Sequence, residues 1–275
     1  MPRLITALTR DTQLCMSLAA RPSNIGARFH NFLYDELGLD FVYKAFTTTD
    51  LTSAIAGVRA LGVRGCAISM PFKQDSIPLV DELDSSAAAI DAVNTIVNTA
   101  GTLKAYNTDY IAVATLIRDH RVSTDGRTVV LGAGGMARAV VAALRDGGFT
   151  DVLVIARDAA RGAKLARQYG FSAGTDLGDQ PAAVLVNATP IGMSGGPAAE
   201  DLAFPVDVIR AAGTVFDVVA FPAQTPLIRQ ARMSGVDVIT GAEVIALQAA
   251  EQFALYTGVR PTPDQVRRAS DFSRE

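Results

Sequence analysis

The chain has 275 residues, 49% of them hydrophobic, and a formal net charge of −3, so it can bury the cores of two domains and carries no excess of Lys and Arg with which to hold a nucleic-acid backbone. Its only histidines, His30 and His120, stand far apart, which leaves little material for a histidine zinc site or a Ser-His-Asp triad. Arg10, Asp11, Arg21 and Arg28 interrupt the N-terminal segment, so no apolar run approaches the ~18 residues of a membrane span or forms the core of a secretory leader. A cytoplasmic protein with buried free thiols at Cys15 and Cys66 is therefore expected.

In chain order, TQLCMSLA reads as a strand, ARFHNFLYDELG as a helix, DFVYKAF as a strand, DLTSAIAGVRALG as a helix and RGCAISM as a strand. Asp50 is placed to cap the second helix and Gly62 to end it. The polar turn RVSTDGR at 121–127 is the clearest boundary, and a second alternating block follows it. There RTVVLG leads into the helix AGGMARAVVAALRDGG, then come the strand DVLVIA, the basic helix ARGAKLARQYG and the strands AAVLVNAT and GTVFDVVA. This order implies α/β architecture: an N-terminal α/β domain followed by a doubly wound parallel sheet of the Rossmann type. A last helix, AEVIALQAAEQFALYTG, is punctuated by VRPTP.

The strongest local signal is Gly132-Ala133-Gly134-Gly135-Met136-Ala137, a G-x-G-x-x-A run that follows a strand and opens a helix. Gly132 permits a tight turn, Gly134 lets backbone approach a pyrophosphate, Ala137 lets the helix lie close to the sheet, and the helix N-terminus offers N–H groups to the anion. At the end of the next strand come Ala156, Arg157 and Asp158, with Arg161 one turn on. Arg157 can pair with the 2′-phosphate of NADP and stack on its adenine, whereas Asp158 is the residue an NAD enzyme would use on the ribose. The run Ser69-Met70-Pro71-Phe72-Lys73 is expected to place a lysine just after a buried strand, and its position alone leaves it open between a surface charge and a reacting group. Asn94, Thr95, Asn107, Thr108 and Asp109 add short hydrogen-bonding side chains that are also ordinary turn residues.

In this order the MPFK strand end, AVNT, the NTD turn, GAGGMARAV, an arginine behind the second Rossmann strand, NATPIGM, FDVV…P…TPLI and LQAAEQFALYTG resemble shikimate dehydrogenase over nearly the whole chain. The resemblance implies a substrate domain of residues 1–109 plus 242–275 and an NADP domain of 110–241. It implies that Lys73 and Asp109 form the catalytic pair, that Asn94, Gln248 and Ser69 bind the polyol, with Ser23 beside them, and that Val218 and Gly241 lie near the nicotinamide. Two anchors differ from the family pattern. Counting back from His30 puts Asn24 and Gly26 where a Ser-x-Ser pair holds the substrate carboxylate, with Ser23 one place out of register, and Ala220 stands where the family has a tyrosine. These departures resemble those of the shikimate dehydrogenase-like subclass.

The expected activity is hydride transfer between NADP(H) and shikimate or a related cyclic hydroxy acid, by a monomer or homodimer whose partner is a small molecule and neither nucleic acid nor membrane. The alternatives are a quinate-type or amino-substituted ring dehydrogenase using NAD through Asp158, and a nucleotide-binding sensor without efficient turnover, against which Lys73 and Asp109 both count.

Overall fold

The computed structural model describes residues 8–178 and 180–274. The chain divides into two compact units, one built from residues up to Thr108 together with those from Ala246 onward, the other from Asp109 to Ile245.

The first unit alternates as its sequence pattern dictates: β1 (Gln13–Leu18), α1 (Ile25–Glu36), β2 (Phe41–Phe46), α2 (Leu51–Ala60) and β3 (Gly65–Ile68). Asp50 caps α2 by accepting from the Ser53 N–H at 3.0 Å, and Gly62 turns the chain away at a φ of +64° that a side chain would strain. Beyond β3 come a 3-10 turn at Ile77–Leu79, β4 (Glu82–Leu83), α3 (Ser85–Ala88), β5 (Thr95–Thr99) and β6 (Thr102–Tyr106). The sheet runs β2-β1-β3-β5-β6-β4. Its β1, β2 and β3 are mutually parallel, and β5 runs antiparallel to both β3 and β6.

Each face of this sheet buries its own core. On one, Ile55 and Val58 of α2 pack with Leu18, Ile68, Ile96 and Leu103. On the other, Phe29, Leu33 and Tyr34 of α1 meet Phe253 and Tyr256 of α9 (Gly241–Thr257) and Ala269 of α10 (Pro263–Arg274). Gly65 is a required glycine here, because a β-carbon on it would collide with the Tyr256 ring. His30 lies within this aromatic layer, stacked on Tyr43 with centroids 4.5 Å apart and with the Gln252 side chain beside it. Burial pushes its pKa down to about 3. Cys15 and Cys66 are free and buried, and burial pushes the Cys15 thiol up to about 11.

The second unit opens with α4 (Thr108–Asp119), whose first residue still belongs to the first unit. Then follow β7 (Arg127–Leu131), α5 (Gly135–Asp146), β8 (Val152–Ile155), α6 (Ala159–Gln168), β9 (Ser172–Gly174), β10 (Ala182–Asn187), α7 (Val206–Ala211), β11 (Thr214–Asp217), α8 (Pro226–Met233) and β12 (Asp237–Thr240). All five strand pairings are parallel, in the order β12-β11-β10-β7-β8-β9. The direction of winding reverses between β7 and β10, and the carboxyl ends of those two strands are where a doubly wound sheet binds ligands. The polar turn at 121–127 follows α4 directly and lies inside this unit. Among the described residues no helix is long and apolar enough to cross a membrane.

Candidate active site

At the switch point the glycines of the G-x-G-x-x-A run divide their work. Gly132 ends β7 with φ at 122°, and a β-carbon on it would stand 2.7 Å from the Ala188 carbonyl oxygen beyond β10. It therefore serves close approach of two chain segments as well as the turn. Gly134 is the N-cap of α5 and Gly135 its first residue; both are exposed, and a β-carbon on either would meet nothing within 4 Å. That open space lies over the unpaired N–H groups of the first turn of α5, which is what a pyrophosphate requires. Ala133 and Met136 flank it half-buried, and Ala137 is fully buried against the sheet.

Behind β8, Ala156 lies under α6, since a β-carbon on Gly162 would come within 3.1 Å of the Ala156 β-carbon. The Asp158 carboxylate accepts from the Arg161 N–H at 3.0 Å and caps α6. It is thereby occupied by its own helix, while the Arg157 and Arg161 side chains are exposed. These residues fit a 2′-phosphorylated adenosine better than a free ribose diol.

A buried network shapes the neighbouring strand ends. Asp217, closing β11 with no exposed surface, accepts from Thr225 Oγ1 at 2.6 Å, Asn187 Nδ2 at 3.0 Å and the Val219 N–H at 3.0 Å. Burial outweighs these bonds and pushes its carboxyl up to about 6. The network holds the segment that carries Val218 and Ala220. Gly241, the first residue of α9, packs so closely on this segment that a β-carbon would collide with the Val219 carbonyl and reach 2.5 Å from that of Val218. The two residues expected near the nicotinamide, Val218 and Gly241, are thus brought together.

In the first unit, Ser69 leaves β3 exposed, held by its N–H to the Leu18 carbonyl at 2.9 Å. Lys73 is half-buried, and its carbonyl accepts from the Val93 N–H at 2.9 Å, which fastens its segment beside Asn94. The buried Asn94 Oδ1 accepts from the Thr108 N–H at 2.8 Å, from Thr95 Oγ1 at 2.9 Å and from Thr108 Oγ1 at 3.2 Å. Gln248 is half-buried on α9. Asn107 is spent on structure: its N–H donates to Ser86 Oγ and its Nδ2 to the Ala92 carbonyl. Asp109 stands in the first turn of α4, half-buried. Ser23 is exposed in the loop before α1, where Asn24 makes no side-chain cap bond and a β-carbon on Gly26 would find Tyr43 Oη at 3.6 Å. Gln252 carried no signal in the sequence, whereas Thr95 and Thr108 stood open between turn residues and hydrogen-bonding side chains. Their one visible signal was the repeated Asn-Thr pair at 94–95 and 107–108.

Among the described residues no group of three or more His, Cys, Asp or Glu could hold a metal ion. A doubly wound sheet with a glycine cradle at its switch point is the architecture of a dinucleotide-binding domain. Residues 24–96 match the shikimate dehydrogenase substrate binding domain and residues 116–184 match shikimate/quinate 5-dehydrogenase. The chain is 53% identical to a shikimate dehydrogenase-like protein of Haemophilus influenzae over 97% of its own length and 98% of that protein's. It is 35% identical to the shikimate dehydrogenase (NADP(+)) of Pyrococcus abyssi, covering 88% of this chain and 90% of that one. The shikimate 5-dehydrogenase of Thermus thermophilus, solved in complex with NADP(H) and shikimate, superimposes with a TM-score of 0.84 at 30% identity, covering 95% of this chain and 99% of that one. The chain belongs to the shikimate dehydrogenase family.

Proposed function

We propose that this protein is a cytoplasmic NADP(H)-dependent oxidoreductase that interconverts a ring hydroxyl and a ring ketone on shikimate or a related cyclic hydroxy acid. The observation that carries the reading is the open cradle at the switch point, where Gly134 and Gly135 leave room over the first turn of α5. Those N–H groups would hold the pyrophosphate, Arg157 and Arg161 the 2′-phosphate, and the Val218–Gly241 contact would line the nicotinamide. When bound, the nicotinamide accepts or supplies the hydride. Use of Asp158 as a helix cap counts against the alternative of an NAD enzyme.

Oxidising a secondary alcohol removes a hydride from carbon and a proton from oxygen, so a proton-handling group must reach the hydroxyl. Asp109 orients the hydroxyl and the Lys73 ammonium, and Lys73 exchanges the proton. In the reducing direction the ammonium polarises the ketone and donates to the forming alkoxide oxygen. The Asn94 amide and Gln248 hold the remaining ring hydroxyls. Asn24, Gly26 and Ala220 offer the substrate carboxylate fewer hydroxyl donors than the family pattern, which supports a relative of shikimate as the preferred ring.

The test is NADPH consumption with 3-dehydroshikimate and a panel of related ring ketones. At least one is expected to be reduced, and Lys73→Ala and Asp109→Ala each to lower kcat by about 10²–10⁴ while NADPH still binds. Turnover of no member, or losses under about tenfold in both variants, would overturn the reading.

A further inference from the structure

We infer that Gln252 is a positioning residue for the substrate: through Thr95 it locks the Asn94 amide with both of its N–H protons turned toward the ligand. This rests on the reading above that Asn94 touches the ring substrate.

The argument begins with a donor that has no choice. The backbone N–H of Thr108 can only donate, and it lies 2.8 Å from one atom of the Asn94 amide, so that atom must be the oxygen, Oδ1. The Thr108 hydroxyl, at 3.2 Å, adds to the same oxygen. Thr95 Oγ1 stands 2.9 Å from it and 3.4 Å from Thr108 Oγ1, so Asn94 Oδ1 is the nearer of the two acceptors open to its proton. Gln252 Nε2 donates to Thr95 Oγ1 at 3.0 Å, filling the hydroxyl's acceptor side and leaving its proton for Asn94. A second Gln252 contact, to the Asn94 carbonyl at 3.4 Å, holds the same strand. Asn94 Oδ1 is thus saturated, and the two Nδ2 protons are left for an acceptor outside the network. Asn94, Thr95, Thr108 and Gln252 are 3%, 0%, 0% and 6% exposed, so solvent does not compete for these bonds and their polarity is maintained.

The ligand atom facing Asn94 must therefore be an acceptor: a ring hydroxyl oxygen or a keto oxygen. Gln252 stands one helical turn after Gln248 on α9, so the helix offers one amide for the ligand and another for the lock. Without the Gln252 donor the Thr95 hydroxyl can turn its proton to Thr108 Oγ1, and Asn94 then loses one of the three bonds that aim it.

The experiment measures shikimate binding by calorimetry and steady-state kinetics on the best ring substrate, for wild type, Asn94→Ala, Gln252→Met, Gln252→Glu and the double variant Asn94→Ala/Gln252→Met. Gln252→Met keeps length and volume without the donor. It is expected to weaken shikimate binding and raise KM by about threefold to tenfold, the size of one neutral hydrogen bond, with kcat within about twofold and NADP affinity unchanged. Gln252→Glu takes the Thr95 proton for itself and is expected to cost more. The double variant should be no worse than Asn94→Ala alone. Wild-type binding that Asn94→Ala weakens and Gln252→Met leaves untouched, or a Gln252→Met effect that persists on the Asn94→Ala background, overturns this inference alone. No ring hydroxy acid bound, or binding untouched by Asn94→Ala, overturns the substrate reading and this inference with it. Thermal melts identify a variant that fails to fold; Gln252→Glu then stands in for Gln252→Met with the same two outcomes.

Discussion

Arg157 and Asp158 are adjacent and both exposed, and the carboxylate is the one tied to its own helix. The carboxylate is committed to the Arg161 N–H at the start of α6, where it also complements the positive end of the helix dipole. The guanidinium carries no such commitment to its helix. Arg157→Ala is therefore expected to lower NADP affinity by about 10–100-fold, the loss of one charge-assisted phosphate contact, and to leave NAD affinity unchanged. Wild-type NAD binding as tight as NADP binding would sink this assignment. The cap was open to the same reading that identified Asp50, because both aspartates directly precede a helix; at Asp158 a ligand role competed for the side chain. For Asn94 the sequence supplied the residue type and its neighbours but not the orientation of the amide. That orientation depends on a backbone N–H fourteen residues on, which no local pattern reports.

At the scale of elements, glycines with one chemistry serve two purposes. Gly241 lets α9 begin directly against the strand-end segment after β11, with Thr240 and Glu243 forming a capping box at its N-terminus: Glu243 Oε2 accepts from the Thr240 N–H at 2.8 Å and Thr240 Oγ1 from the Glu243 N–H at 3.3 Å. Gly134 borders open space. Gly241→Ala is expected to cost about 1–3 kcal/mol of stability or more through backbone overlap, read as a lowered denaturation midpoint. Gly134→Ala should leave that midpoint in place and weaken NADP binding, because its methyl enters the room the pyrophosphate needs. The opposite pattern would mean that the roles of the two glycines are reversed. Elements with a strong period were legible: α2, α5, β7, β8 and β10 fall within the segments expected, and α1 begins two residues before its segment. The three-residue β9 is mostly exposed and shows no alternation. α10 escaped notice because its buried face is made of Ala269, Ser270 and Ser273, small or polar residues that carry no hydrophobic period, although Pro263 at its first position is an ordinary start signal.

Over the whole molecule, two buried groups, one in each unit, couple folding to pH in opposite directions. A carboxyl whose pKa rises on folding stays protonated in the native protein while the unfolded chain ionises, so the contribution of Asp217 is greatest below its ordinary 3.8 and falls as pH climbs to about 6. His30 does the reverse: its pKa drops from 6.5 to about 3, so its contribution is complete above 6.5 and is lost on acidification through that range. Asp217→Asn is expected to remove a fall of about 2 kcal/mol in unfolding free energy between pH 4 and 6, visible as a difference between variant and wild type in the slope of that free energy against pH. Parallel slopes would mean that the Asp217 carboxyl ionises as easily inside the protein as outside. The α/β alternation and the Rossmann order were legible at this scale. The antiparallel β5–β6 pair was not, since its strands are short and lie amid turn-forming residues. The return of the C-terminal helices has a consequence for synthesis. Phe253, Tyr256 and Ala269 complete the aromatic layer begun by Phe29, Leu33 and Tyr34, so the part of the chain that leaves the ribosome first is the last to find its full core. The unit from Asp109 to Ile245, translated later, holds all its own strands before that layer closes, and a nascent chain halted at Ile245 would still present bare aromatic rings to a chaperone.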